Sequence, residues 1–159
     1  MFDEHMREKG SISSKLWCAV EAPATEKLAI WGFQVRDGLG RTHQREFRHG
    51  AINSEVVLLN LWLDSRTRSI ILDGASLTQE EEIDIQPLSA QDIRLRRKFR
   101  LTRPLYFALL QGDLSYRLRN KQANSSTIAK VAEQLVQDLE FVHRYLFDGY
   151  RGRRIVAFS

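Results

Sequence analysis

A single cysteine, Cys18, leaves this chain of 159 residues without an internal disulfide or a multi-cysteine zinc cluster. A reducing, cytoplasmic setting is the expectation. Hydrophobic runs are short: those such as residues 56–59 and 61–63 fall far below the roughly 18 residues needed to cross a bilayer. No membrane association is expected. The first 15 residues are polar and mixed in charge, unlike the apolar core of a secretory signal. Phosphate-binding glycine loops, nucleophile elbows and dinucleotide fingerprints are also missing. Gly38-Leu39-Gly40 lacks the third glycine of such a fingerprint and reads as a hairpin turn. The four histidines, His5, His43, His49 and His143, include no i, i+4 pair, so a helical zinc motif is unsupported. Only three prolines interrupt the chain.

What remains is ordinary for a folded domain: 43% hydrophobic and 28% charged residues in 18.5 kDa, enough for one sizeable core. The expected organisation is a polar leader over residues 1–14, one domain over 15–150, and a basic tail over 151–159. Charge is the uneven feature. Residues 1–90 carry 10 Lys/Arg against 14 Asp/Glu, a balance of −4, whereas 91–159 carry 14 against 6, a balance of +8. Such asymmetry suggests an anionic partner. The cations concentrate at Arg94 to Arg103, at Arg117, Arg119 and Lys121, and at Arg151, Arg153 and Arg154. Phe99, Tyr106 and Tyr116 lie among them, where they could stack on bases or simply fill the core.

Residues 16–20 read as a first strand, which makes Cys18 a small core residue, and residues 28–36 read as a second. Asp37 to Gly40 supplies turn chemistry, and residues 41–48 suit an edge strand. Asn53-Ser54-Glu55 looks like the start of a buried helix over 56–63, although Val56-Val57 keeps a strand open. Residues 69–72 read as a short strand. Residues 89–110 fit a broken helix, while Ile93 to Arg96 alternates like a strand; residues 114–119 also alternate. A clear amphipathic helix follows, with Ile128, Val131, Leu135, Leu139, Val142 and Leu146 at three- and four-residue steps. Ile155 to Phe158 could add a strand or dock on the core. The fold class is therefore α/β, with three antiparallel strands followed by alternating helices and strands.

In that order, residues 32–40, Ser54-Glu55, Ile70-Ile71-Leu72-Asp73-Gly74 and Leu118-Arg119-Asn120-Lys121 with Asn124 resemble the motifs of the ribonuclease H family. The resemblance spans residues 16–140. It implies a ribonuclease H-like mixed five-stranded sheet flanked by helices, and two-metal phosphodiester hydrolysis, with carboxylates holding Mg²⁺ ions about 3.5–4 Å apart. Carried over by position, Glu55, Asp73 and Glu21 become the catalytic, metal-binding acids, since Mg²⁺ requires hard oxygen ligands. Where the family opens its last helix with an aspartate, this chain reads Asn124 to Lys130 and has no carboxylate before Glu133. The substrate so implied is RNA or an RNA–DNA hybrid, its phosphates held by Arg96, Arg97, Lys98, Arg119 and Lys121. The missing acid leaves two alternatives: a non-catalytic nucleic-acid-binding or assembly module on the same scaffold, or a homodimer built on Phe141, Tyr145 and Phe147.

Overall fold

The computed structural model describes residues 12–36, 42–85, 89–92, 94–103, 116–118 and 123–158. Seven strands form one sheet: β1 (Gln34–Arg36), β2 (Gln44–Ile52), β3 (Glu55–Asp64), β4 (Ser69–Leu77), β5 (Arg97–Leu101), β6 (Tyr116–Arg117) and β7 (Ile155–Phe158). The order is β1-β2-β3-β4-β5-β7, with β6 paired to one end of β4. Among the described residues, three helices accompany it: α1 (Ile12–Ile30), α2 (Gln79–Asp84) and α3 (Ser125–Asp148). Helices on an open sheet were expected from the sequence. The mixed five-stranded arrangement was too, but every described ladder is antiparallel.

Helix α1 replaces the strand expected over 16–20 and the start of the one expected over 28–36, of which β1 keeps the end. Leu16, Val20, Ala24 and Leu28 are fully buried at four-residue steps, a helical stripe that Pro23 disguises as a break. Pro23 is exposed and forgoes one backbone hydrogen bond, while the Thr25 hydroxyl donates to the Glu21 carbonyl at 2.7 Å. Cys18, expected inside, is exposed on this helix.

Residues 53–63 do not start a helix. Asn53 and Ser54 take φ of 51° and 67°, and these two positive values make the tight turn that joins β2 to β3. Strand β2 is consequently internal and not an edge. Strand β4 extends the expected 69–72 segment to Leu77, and β5 occupies part of the region expected to be helical. Residues 37–40, expected as a turn, lie outside the described residues. The last helix is the one expected: α3 starts at the Asn124–Thr127 capping box and ends at Gly149, whose φ of 72° suits glycine. The basic tail enters the sheet as β7, with Ile155 opposite Leu101.

Successive strand residues point to opposite faces, so the register sorts the sheet into two surfaces. One face carries Val57, Leu59, Leu61, Leu72 and Phe99 and packs under α1 and α3 in the main core. The second face holds a smaller apolar cluster of Val56, Leu58, Ala75 and Leu77, covered by Ala90 and Leu95. Beside that cluster, Arg36, Glu46, Asn60, Asp73 and Arg100 stand opposite one another across five strands, a polar row through the sheet.

Candidate nucleic-acid interface

The three acids expected to share metal ions lie apart. Asp73 is in the polar row of the second face, where its carboxylate accepts Arg100 Nε at 2.6 Å, Arg100 Nη2 at 3.2 Å and Trp62 Nε1 at 3.2 Å. Glu55 has the alternation of Val57 and belongs to the opposite face, 3.9 Å from Arg97 Nε. Asp73 pairs with Asn60, five residues beyond Glu55 along β3, which separates the two acids by about 17 Å of strand. Glu21 is on α1 and pairs with Arg45 at 3.0 Å. Each carboxylate therefore has its own guanidinium, and Glu55, Asp73 and Glu21 do not fit a shared Mg²⁺ site. Among the described residues, no group of three or more His, Cys, Asp or Glu side chains is placed to hold a metal.

The cations behave differently. A groove of about 790 Å³ opens on the helix-covered side, where β5 begins and α3 ends. Arg96, Arg97 and Lys98 line it from one segment, and Arg151, more than 50 residues later, lines it from another. Among its described lining residues Glu55 is the one acid. Arg97 is held in place: its Nε donates to the Ser76 carbonyl at 3.1 Å and its Nη2 to Glu81 at 2.8 Å. Arg96 and Arg151 are exposed and make no ion pair among the described residues. Tyr145 supplies an aromatic wall, backed by Phe99 with ring centroids 4.9 Å apart. Asn53 ties the β2–β3 turn to the end of α3 by donating to the Leu146 carbonyl at 3.1 Å. The carbonyl end of α3 carries partial negative charge, which favours cations such as Arg151 beside it.

Arg119 and Lys121 lie outside the described residues. Arg151 and Tyr145 were not expected at this groove from the sequence. The density of Arg151, Arg153 and Arg154 was the available signal for the first; nothing local to Tyr145 foretells its neighbour Phe99. The three aromatic side chains of the alternative homodimer surface are partly buried against the main core, and Tyr145 also lines the groove. Phe141 lies under the Arg154 guanidinium at 4.6 Å, Tyr145 against Phe99, and Phe147 against His143 at 4.5 Å.

A buried network lies away from the groove, at the other end of β5. Asp138 of α3, 3% exposed, accepts hydrogen bonds from the Tyr116 hydroxyl at 2.7 Å and Gln134 at 2.9 Å, and pairs with Arg154. Arg154 Nε donates to the Thr102 carbonyl at 2.8 Å, and the Arg154 carbonyl accepts from the Thr102 amide at 2.8 Å. The end of β5, the approach to β7 and α3 are thereby joined. Burial pushes the Tyr116 phenol above its ordinary range, so it stays a donor to Asp138 at neutral pH. In sequence, Asp138 is only one acid within an amphipathic helix. No helix among the described residues is long and apolar enough to cross a membrane. No family model, curated protein or solved structure matches the chain.

Proposed function

We propose that the protein binds nucleic acid, with RNA as the favoured partner, by holding phosphates in the basic groove, and that it does not cut the strand. One observation carries the reading: cations from two distant segments, Arg96 to Lys98 and Arg151, line one groove beside an aromatic ring. Guanidinium groups suit phosphate oxygens because their planar fork donates two parallel hydrogen bonds. Contacts of this kind position a backbone and carry no base information. Tyr145 offers a π face to an unpaired base, which favours a single strand over a duplex.

The ribonuclease H resemblance would add hydrolysis by Glu55, Asp73 and Glu21 with Mg²⁺. Their separation and their guanidinium partners favour the non-cleaving alternative. The experiment is incubation of the purified chain with end-labelled RNA and with an RNA–DNA hybrid, with and without Mg²⁺, at two salt concentrations. Three phosphate contacts, from Arg96, Arg97 and Arg151, predict single-strand binding about 20-fold weaker at 200 mM salt than at 50 mM, with the RNA left intact. Mg²⁺-dependent cleavage abolished by Asp73→Asn would restore the catalytic reading; absence of binding at low salt would remove both.

A further inference from the structure

The second face of the sheet contains a smaller cleft, about 280 Å³, lined by Trp62, Asp73, Gly74, Gln91, Lys98 and Arg100 among others. We propose that it is a nucleotide pocket, taking one nucleobase against the Trp62 indole with its phosphate on Lys98. The volume lies near the lower end of small-molecule pockets, roughly 300–1,000 Å³, and suits one nucleotide but not a longer strand.

The chemistry of the walls selects the ligand. Trp62 is half-buried, and its indole N–H is fixed on Asp73, which Arg100 grips through two hydrogen bonds. The ring is thus held before any ligand arrives, which lowers the ordering cost of stacking. Asp73 is neutralised by Arg100, so its charge does not repel an anion. Lys98 spends one donor on the Gln91 carbonyl at 3.3 Å and keeps two for a phosphate. Directly across the ladder from Asp73, fully buried Asn60 has its Oδ1 engaged by Gln44, while its Nδ2 has no partner among the described residues. A planar ring with an anionic tail matches an aromatic wall and a spare ammonium. An aliphatic carboxylate would leave the indole face unused, and a cation would meet Lys98 and Arg100.

The nucleotide could be free or part of the strand in the groove on the other face; Lys98 lines both cavities. The register turns the Lys98 side chain, like that of Arg100, to the second face, so the pocket stands independently of the groove. The test is calorimetric titration of the full chain with AMP, GMP, CMP, UMP and inorganic phosphate, alongside the Trp62 indole N–H resonance. Saturable mononucleotide binding that shifts this resonance is expected, weakened about five- to 150-fold by Trp62→Leu. Lys98→Gln should weaken it while leaving a nucleoside without phosphate unaffected. Thermal unfolding confirms that each variant folds, and Trp62→Phe, which keeps a ring, should retain most of the binding. Weaker RNA binding by Trp62→Leu assigns the base to a strand, whereas unchanged RNA binding assigns the pocket to a free nucleotide. Equal binding of inorganic phosphate and mononucleotide, or no shift of the Trp62 resonance, would overturn the proposal even if RNA still bound the groove.

Discussion

The two faces of one sheet solve different problems. Under α1 and α3, β3 and β4 present Val57, Leu59, Leu61, Ile70 and Leu72, nearly all fully buried with no polar group between them. On the other side the same strands present Asn60, Trp62 and Asp73, tied to Gln44, Glu46 and Arg100 by hydrogen bonds or by position in the row. Apolar burial is non-directional and supplies most of the stability. The polar row is directional: a one-residue slip of β3 would carry Asn60 into the apolar core and a leucine into the row. One face holds the fold together; the other selects its register and leaves chemistry available.

Adjacent residues of β3 put this contrast to its hardest test. Leu61→Ala should cost about 2–5 kcal/mol in denaturant unfolding, because it opens a cavity between the sheet and the helices. Asn60→Ala, on the opposite face, should cost about 1 kcal/mol, since it removes one hydrogen bond and an amide donor that was already unpaired. Equal costs would break the comparison.

Gly74 sharpens it. Its α-carbon faces the main core, and a Cβ there would collide with the Phe99 ring. Gly74→Ala should lose about 1–3 kcal/mol by overpacking, although the residue lies beside Asp73. Asp73→Asn keeps the shape and gives up an ion pair with a partly exposed arginine; about 1 kcal/mol or less is expected in the same unfolding measurement.

The smallest effect is on pH. The Arg48 guanidinium, bonded to Glu82 at 2.7 and 2.8 Å, holds that carboxyl below its ordinary value of 4.5 and joins α2 to the second face. A lowered folded-state value means that the contribution is complete above pH 4.5 and disappears as pH falls through the folded value. Glu82→Gln should flatten the pH dependence of unfolding between neutrality and that acid range, with little change in stability below it.

The contrast between faces also explains which parts of the fold could be read in advance. Helix α3 was legible because one side is buried and the other solvated, so Ile128 to Leu146 show their spacing openly. Strand β3 was not, because Val56 and Leu58 are covered on the second face while Val57 and Leu59 are covered on the first. Burial on both sides erases a strand's alternation and imitates a buried helix. Helix α1 was hidden by Pro23. As for the candidate site, the cations Arg96, Arg97 and Lys98 were evident from composition, but their meeting with Arg151 depends on β7 returning to β5. Glu55 and Asp73 have the right order in the chain and the wrong parity on their strands, a distinction that appears only once residues 55–64 are seen to be extended.

The most direct measurement is the salt dependence of RNA binding by the chain and by an Arg96→Gln, Arg151→Gln double variant. Both side chains are exposed, so stability should change by less than about 0.5 kcal/mol. If they hold phosphates, the slope of log affinity against log salt becomes about 1.4 less steep in the variant, about 0.7 for each phosphate of a single strand that is no longer neutralised. Identical slopes and affinities for the two proteins would contradict the groove as the nucleic-acid interface.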